Sequence, residues 1–238
     1  ADRVFAVVGG LAQQMLTPAG QLLTLQEAAR RVQVGLTAWS GLADKPELLS
    51  ETLALIDECK SCMIEPEMLF RASEESALDE DAALSAKLCD LAQILTQYDS
   101  LCEETLPDPR DRLTHLRDGL AESHVLDGAE VYLDGFLSYT PQELAIIEVM
   151  LSSGVPLTAA VTCDVELPDV FVTGCRTLRT LTRMAERCSR RPELVDLGAG
   201  KMPRPAGLAA VANEALLPVR QAHEDASGVR LYEAASPF

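Results

Sequence analysis

Hydrophobic residues follow a helical spacing through the first half of the chain. The first series recurs every three or four residues and predicts one apolar helix face made of Leu22, Leu25, Ala29, Val32, Leu36 and Trp39. Similar series predict helices over residues 49–59 and 84–102. The pair Asp108-Pro109 is typical of an N-cap followed by proline at the first helical position, so a short helix is expected after it. Residues 1–125 are therefore predicted to form a helical bundle domain.

The spacing changes after Gly128, where short apolar runs alternate with helical ones. The runs predict strands over residues 129–134, 155–162, 193–197 and 229–233, and the segments around them predict helices over residues 140–152, 173–190 and 207–216. The first of these helices begins with the capping-box pattern Thr140-Pro141-Gln142-Glu143. Because strands alternating with helices are typical of a parallel sheet, residues 126–238 are predicted to form a partial α/β layer. The expected fold class is helix-rich α/β.

Composition favours a core of aliphatic side chains and a strongly acidic surface. Hydrophobic residues make up 47% of the chain but aromatic residues only 4%, so the core is expected to consist mainly of Leu, Ala, Val and Ile. The net charge is −17, and residues 1–125 hold 22 acidic and 10 basic residues. Proteins that mainly bind nucleic acid through phosphates usually have a basic surface. The charge therefore disfavours that role for the chain as a whole, although it allows a local basic stripe.

The seven cysteines are scattered through apolar segments, which is typical of reduced structural thiols. Cys59 and Cys62 have the spacing of half a zinc site, but no second pair supports a complete one. No signal-peptide pattern and no apolar run approaching the ~20 residues that span a bilayer occurs, so no membrane association and a cytoplasmic location are expected. The abrupt first and last residues predict a piece of a longer protein.

Asp134 directly follows the predicted strand Val131-Tyr132-Leu133. The carboxyl edge of a parallel sheet is where open α/β folds bind their ligands, and in nucleotide hydrolases an Asp at this place orients magnesium. The next residue is Gly135, so the acid that would activate water is missing. Two interpretations remain open: Asp134 stands beside a metal or nucleotide, or it only caps the turn or the nearby helix.

Other catalytic motifs are incomplete. Residues 198–202 imitate a phosphate-binding loop, but Val195 replaces its first glycine and Met202 replaces the hydroxyl residue. Phe136 stands where a haloacid-dehalogenase-type phosphatase needs its second acid. Glu58-Cys59-Lys60 imitates the end of a nuclease motif but lies in a helical segment. These departures disfavour phosphate transfer and nuclease chemistry.

A row of arginines contrasts with the otherwise acidic composition of the chain. The members recur by three or four residues along a predicted helix: Arg176, Arg179, Arg183, Arg187 and Arg190. Such a row is able to hold a phosphate backbone or an acidic partner surface. The other interpretation is the solvated face of an amphipathic helix.

Two neighbouring segments resemble the AddB family, also called RexB, whose members pair with AddA in bacterial recombination complexes. The segments are Leu133-Asp134-Gly135-Phe136 and Tyr139-Thr140-Pro141-Gln142-Glu143-Leu144. The resemblance extends over nearly the whole chain through short matches that include Glu58-Cys59-Lys60, Lys87-Leu88, Asp90-Leu91, Tyr98 and Thr177-Leu178.

The resemblance implies a fold and a role. Residues 1–125 would be an accessory helical (1B-like) domain inserted into a RecA-like core, and residues 126–238 would be part of that core. Asp134 and Gln142 would be degenerate remnants of helicase motifs. The implied partners are an AddA-like helicase-nuclease subunit in a heterodimer, and DNA through the full complex. The motifs with which the family binds magnesium, ATP and an iron-sulfur cluster match no residue here. No catalytic residue, metal ligand or cofactor is therefore assigned to this chain.

Three functional hypotheses follow. The leading one is a non-catalytic part of the inactive-helicase subunit of an AddAB-type helicase-nuclease, which processes DNA double-strand breaks for recombinational repair and scans a DNA strand. The second is an independent magnesium-dependent nucleotide hydrolase or phosphatase that uses Asp134 and Asp164. The third is a pure protein-interaction module.

Overall fold

The computed structural model describes residues 1–9, 13–165, 167–197, 205–214, 222 and 224–230. The helices are α1 Asp2–Val8, α2 Pro18–Val32, α3 Pro46–Ser61, α4 Pro66–Leu78, α5 Ala82–Glu104, α6 Arg112–Glu122, α7 Pro141–Ser153, α8 Val172–Arg187 and α9 Ala206–Glu214. The strands are β1 Val131–Leu133 and β2 Leu157–Ala159. Short 3-10 turns precede two of the helices, Leu42–Asp44 before α3 and Pro109–Asp111 before α6.

Side-chain caps fix where several helices begin. Thr17 Oγ1 accepts a hydrogen bond from the backbone N–H of Gly20, 3.1 Å away, in the first turn of α2. The predicted capping box of α7 is present, because Thr140 Oγ1 accepts from Glu143 N (3.3 Å) and Glu143 Oε2 accepts from Thr140 N (2.8 Å). Asp108 accepts from Arg110 N, 3.0 Å away, as its predicted cap role requires.

The main hydrophobic core lies among α2, α3, α4 and α5. Leu25, Ile56, Leu95 and Tyr98 come from the predicted apolar series, and neighbouring residues outside the series, Ala28, Ala92 and Ile94, are buried as deeply. Tyr98 is the largest of these side chains and is fully buried. The predicted helical bundle is confirmed, and aliphatic side chains form most of its core, as the composition suggests.

The helix predicted from the first apolar series is longer than the helix that forms. α2 ends at Val32, and the residues after Gly35 form a loop, so Leu36 and Trp39 pack against the same core without belonging to the helix. The buried carboxylate of Asp90 on α5 accepts hydrogen bonds from the backbone N–H groups of residues 37, 38 and 39 at 2.7–3.1 Å. These N–H groups therefore have partners outside any helix, which stabilises the loop.

The α/β layer is built from β1, α7, β2 and α8. β1 and β2 pair in parallel, with Val131 opposite Leu157 and Leu133 opposite Ala159, and α7 is the crossover between them. The inner faces of α7 and α8 meet in a small core around Ile147, Leu151 and Met184. The prediction of a helical bundle followed by a partial parallel α/β layer is confirmed.

Two predictions within this layer are wrong. Residues 193–197 form no strand, and their apolar side chains Leu194, Val195 and Leu197 are 65–74% exposed. The predicted helix 173–190 ends at Arg187, because Ser189 adopts a left-handed φ of 58° that turns the chain away.

Several other predicted elements lie partly outside the described residues. The helix predicted over 207–216 is present as Ala206–Glu214, and its last two residues are not described. Residues 229 and 230 are not in a strand, and the rest of the strand predicted over 229–233 is not described. The imitation phosphate loop, residues 198–202, also lies outside the described residues.

A third cluster of apolar residues joins α1, α6 and α7. Its buried members are Val4, Leu120 and Ile146, one from each helix. α6 contacts α7, α1 and the turn Pro109–Asp111, and α7 also contacts α3 of the bundle. The division of the chain into domains after Val125 remains a prediction.

Among the described helices, none combines the length and the apolar character needed to cross a lipid bilayer.

Candidate functional site

The loop after β1 holds the first predicted site residue in an exposed position. Asp134 follows the strand directly, and its Oδ1 accepts a hydrogen bond from the backbone N–H of Gly135 at 2.8 Å. Gly135 has a positive φ of 80°, which favours glycine because it has no side chain. Asp134 therefore stabilises its own turn, which is one of the two roles that the sequence left open.

The same loop carries an exposed aromatic side chain. The ring of Phe136 stacks on Tyr139, with 5.0 Å between ring centroids and 25° between planes. Phe136 is nevertheless 41% exposed. The loop is held against α8 because Thr177 Oγ1 donates to the carbonyl oxygen of Leu137 at 2.9 Å.

Gln142, the second predicted remnant, is buried and faces the helical bundle. Its Nε2 donates to the carbonyl oxygen of Arg110 (3.2 Å) and to Thr114 Oγ1 (3.0 Å). Asp134 and Gln142 thus have different hydrogen-bonding partners, and the structure does not bring their polar groups together in a common site. In this structure Gln142 joins α7 to α6 and the turn before it.

Asp164, the second acid of the hydrolase hypothesis, lies between β2 and α8. Its backbone carbonyl oxygen accepts a hydrogen bond from Cys175 Sγ at 3.4 Å. The adjoining backbone approaches α8 very closely at Gly174.

A buried ionic cluster, which the sequence reasoning missed, lies inside the bundle at Lys60. The side chain of Lys60 is 8% exposed, and its Nζ lies 2.8 Å from Asp99 Oδ1 and 2.7 Å from Asp111 Oδ2. It also stands over the ring of Tyr98, 5.6 Å from the centroid. Burial alone lowers the pKa of Lys60, but the nearby carboxylates of Asp99 and Asp111 outweigh it, so this pKa is raised above its ordinary value.

Asp108 is the fully buried member of this cluster. Its two oxygens accept hydrogen bonds from Gln21 Nε2 at 2.8 Å and from the hydroxyl of Tyr98 at 2.9 Å. Burial alone would raise the pKa of Asp108, but the hydrogen bond from Arg110 N, the charge of Lys60 and these side-chain donors hold it below its ordinary value. Burial raises the pKa of the neighbouring Asp99.

The position of Lys60 in the apolar spacing of α3 could have predicted this cluster from the sequence. Lys60 follows Ile56 by four residues and Leu53 by seven, so it continues the buried face of the helix. A lysine on such a face needs an anionic partner. Glu58-Cys59-Lys60 lies in α3, as the sequence predicted, and Lys60 pairs with acids within the bundle.

α8 presents most of the predicted arginine row to solvent. Arg176, Arg179 and Arg183 are exposed, and within the described part of the chain none of them forms an ion pair or side-chain hydrogen bond. Arg187 lies 3.7 Å from Glu148 on α7.

The prediction that Arg190 belongs to this helix face is wrong. Arg190 lies beyond the end of α8, and its Nε donates to the carbonyl oxygen of Leu151 at 3.0 Å, near the end of α7. The exposed row on the helix itself therefore ends at Arg187.

The described residues offer no arrangement for a metal ion. Among residues 1–9, 13–165, 167–197 and the shorter described segments, no group of three or more His, Cys, Asp or Glu side chains is placed to hold one. Cys59 is buried on α3 whereas Cys62 is exposed at its end, and all seven cysteines are free.

A comparison with protein-family models shows which family the chain belongs to. The family model described as "ADDB, N-terminal" matches residues 1–201. The chain belongs to this family. The predicted resemblance to AddB proteins is therefore confirmed.

Curated relatives of this ADDB-type chain are named as the B subunit of an ATP-dependent helicase/deoxyribonuclease. The protein from Symbiobacterium thermophilum is 35% identical over 153 residues, which are 63% of this chain and 13% of the relative. The protein from Moorella thermoacetica is 29% identical over 247 residues, which are 98% of this chain and 22% of the relative. The chain thus spans about a quarter or less of the length of these relatives.

Proposed function

We propose that this chain is a non-catalytic, helicase-like part of the AddB-type subunit of an AddAB-type helicase-nuclease, where it provides scaffold and contacts the scanned DNA strand. The process would be the repair of DNA double-strand breaks by recombination, in the cytoplasm and away from membranes. Membership of the ADDB N-terminal family and the names of the relatives support this proposal.

The observation that carries the non-catalytic part of the proposal is the geometry of Asp134 and Gly135. A phosphoryl-transfer site needs one acid for magnesium and a second group that positions the attacking water. Here one oxygen of Asp134 holds its own turn, and Gly135 supplies no side chain. Gln142 is likewise committed to Arg110 and Thr114.

The partner would be an AddA-like helicase-nuclease subunit. The relatives carry the word "subunit" in their names, which supports assembly with at least one other chain. Magnesium, ATP and an iron-sulfur cluster would belong to other parts of the assembly. This chain would bind none of them.

An ATPase measurement tests the non-catalytic role. The purified 238-residue chain is expected to hydrolyse no ATP above background with magnesium present, both alone and with single-stranded DNA. Turnover that disappears in Asp134→Ala would contradict the proposal and favour the magnesium-dependent hydrolase instead. Asp118→Ala changes an exposed acid on α6 and serves as the matched control.

Assembly is tested separately by co-purification. The chain and an AddA-like subunit from the same genome are co-expressed, and only the AddA-like subunit carries an affinity tag. Stoichiometric retention of the chain after a wash in high salt is expected. Its complete loss would contradict the scaffold role.

A further inference from the structure

We propose that Cys163 and Cys175 form a redox-active dithiol, which a low-molecular-weight disulfide oxidises reversibly to an intrachain disulfide that ties the first turn of α8 to the segment after β2. This inference goes beyond the proposed function and does not rest on it. The two residues are called the Cys163–Cys175 pair below.

The fold brings the two thiols together from neighbouring elements. Cys163 lies in the segment after β2, and a Cβ added at Gly174, the residue before Cys175, would lie 3.0 Å from the Cβ of Cys163. The Sγ of Cys175 donates to the carbonyl oxygen of Asp164, the residue after Cys163, at 3.4 Å. The two cysteine side chains also form a hydrogen bond with each other. A disulfide requires cysteines whose backbones are close and whose sulfur atoms meet, and these contacts provide both.

The contact belongs to the packed part of the α/β layer. Gly174 and Cys175 are both buried in the first turn of α8, and the missing side chain at Gly174 lets this turn approach the segment after β2. The bridge is therefore able to form in the folded protein without separating α8 from its neighbours.

Oxidation proceeds by two thiol–disulfide exchanges. Cys163 is half-buried whereas Cys175 is 4% exposed, so a small disulfide reaches Cys163 first. The Cys163 thiol loses its proton, and its sulfur attacks one sulfur of the disulfide, breaks the S–S bond and expels a thiolate that takes up the proton. Cys175 then attacks the Cys163 sulfur of the mixed disulfide in the same way and expels the second thiol. The pair loses two electrons, and the small disulfide is reduced to two thiols.

The surroundings of Cys163 slow this reaction near neutral pH. Burial, the charge and hydrogen bond of Cys175, and the carboxylates of Asp164 and Asp196 all raise the pKa of Cys163. Because the thiolate is the attacking form, exchange accelerates as the pH rises towards this pKa. The pair therefore responds to sustained oxidation and stays reduced during brief contact with an oxidant.

Two other roles explain the pair less well. A structural metal ion usually needs four ligands, and among the described residues no group of three or more His, Cys, Asp or Glu side chains is placed to hold one. A role in packing alone accounts for the burial of Cys175, but it gives no reason for two sulfur atoms to meet.

Oxidised glutathione is the probe in the first test. The 238-residue chain is incubated with it, the free thiols are blocked, and the bridges are identified by mass spectrometry. Cleavage after Glu166 leaves the two cysteines on separate peptides, which a disulfide holds together. We expect the Cys163–Cys175 bridge to be the main product and to disappear with dithiothreitol. Its rate of formation should rise roughly tenfold per pH unit below the pKa of Cys163.

Single substitutions test the order of attack. Cys175→Ser and Cys175→Ala are both expected to stop at a glutathione mixed disulfide on Cys163, because the second thiol is missing. Cys163→Ser should leave Cys175 largely unmodified, since Cys175 is buried. Cys188→Ser, at a half-buried cysteine that ends α8, is the matched control and should leave the Cys163–Cys175 bridge unchanged.

Thermal unfolding shows whether the bridge fits the fold. The disulfide closes a loop of about a dozen residues and so restricts the unfolded chain. We expect the oxidised chain to unfold about 5 °C above the reduced chain. The shift should be absent from Cys163→Ser and from Cys175→Ala after the same treatment.

Three results would overturn the inference. The first is no Cys163–Cys175 bridge under conditions that modify the exposed Cys62. The second is pairing of Cys163 with other cysteines in similar yield, and the third is a lower unfolding midpoint after oxidation. Circular dichroism checks that each variant keeps its helices, and the two substitutions at Cys175 guard against misfolding of either one. No partner subunit or DNA takes part, so failure here is distinguishable from failure of the proposed function.

Discussion

Asp108 shows how one buried carboxylate organises the middle of the chain. Its oxygens receive donors from α2, from α5 and from the backbone of Arg110, and Lys60 approaches to 3.6 Å. The ionised form is therefore favoured in the folded protein, although the side chain is fully buried.

We predict that Asp108→Asn destabilises the chain by about 3 kcal/mol at pH 7, because charge-assisted hydrogen bonds and the attraction to Lys60 are lost. Urea unfolding monitored by circular dichroism measures this. Asp118→Asn, which changes an exposed acid, is expected to cost less than about 0.5 kcal/mol.

The lowered pKa of Asp108 also predicts a pH dependence. A depressed folded-state pKa contributes stability above the unfolded pKa, about 3.9, and this stability is lost as the pH falls through the folded value. Below about pH 4 the wild-type chain should therefore lose stability more steeply than Asp108→Asn. Urea unfolding of both proteins is measured between about pH 7 and pH 3. A constant difference between their free energies of unfolding over this range would contradict the prediction.

The residue scale was the hardest to predict from sequence. The capping box at Thr140 depends on residues only three positions apart, so its pattern could be recognised in the sequence. Lys60, Asp99 and Asp111 meet only after α3 and α5 have packed, and no local pattern pairs residues so far apart. Asp90 is similar, because its partners lie more than fifty residues away in the loop at 37–39.

At the scale of elements, the close packing of α8 against the segment after β2 depends on a glycine. A Cβ added at Gly174 would lie 2.1 Å from the carbonyl oxygen of Thr162, which belongs to the backbone and has little room to move. The first turn of α8 is therefore able to approach the segment after β2 only because residue 174 has no side chain.

We predict that Gly174→Ala destabilises the α/β layer by about 2 kcal/mol, because α8 has to shift away from this segment. Gly20→Ala provides a matched control, since Gly20 is also the third residue of its helix. An added Cβ there meets the ends of flexible side chains at 3.2 Å or more. The control should lie within about 1 kcal/mol of the wild type in thermal unfolding; equal losses in both variants would contradict the prediction.

The spacing of apolar residues predicted where most helices lie, but it placed one helix end too late and predicted one strand that does not form. Leu36 and Trp39 keep the helical spacing because a loop packs them on the same core, so spacing alone did not distinguish loop from helix. Residues 193–197 have a strand-like composition, yet a strand forms only beside another strand, and no described strand pairs with them.

At the scale of the whole molecule, α6 and Gln142 hold the α/β layer against the bundle. Apolar contacts of α6 with α1 and α7 form the third cluster, and Gln142 adds two hydrogen bonds to the turn that follows Asp108 and to α6. A polar chain of contacts thus runs from Lys60 through Asp108 and Arg110 to α7.

We predict that Gln142→Leu loosens this junction, because it leaves the Arg110 carbonyl oxygen and the Thr114 hydroxyl without their donor. Amides of α7 should exchange with deuterium roughly tenfold faster, while amides of α5 in the bundle core keep their rates. Glu148→Gln, an exposed change on the same helix, is the control. Unchanged exchange in α7 would show that apolar packing alone holds the layer.

Gly135 constrains how the loop after β1 is able to change in evolution. Replacing it with glutamate would place an acid beside Asp134, and among the described residues no atom lies within 4 Å of the added Cβ. The backbone there, however, is left-handed, with φ at 80°, which disfavours any residue with a Cβ by about 1–2 kcal/mol. A single substitution of Gly135 by an acid would therefore strain the turn before the new carboxylate could assist chemistry.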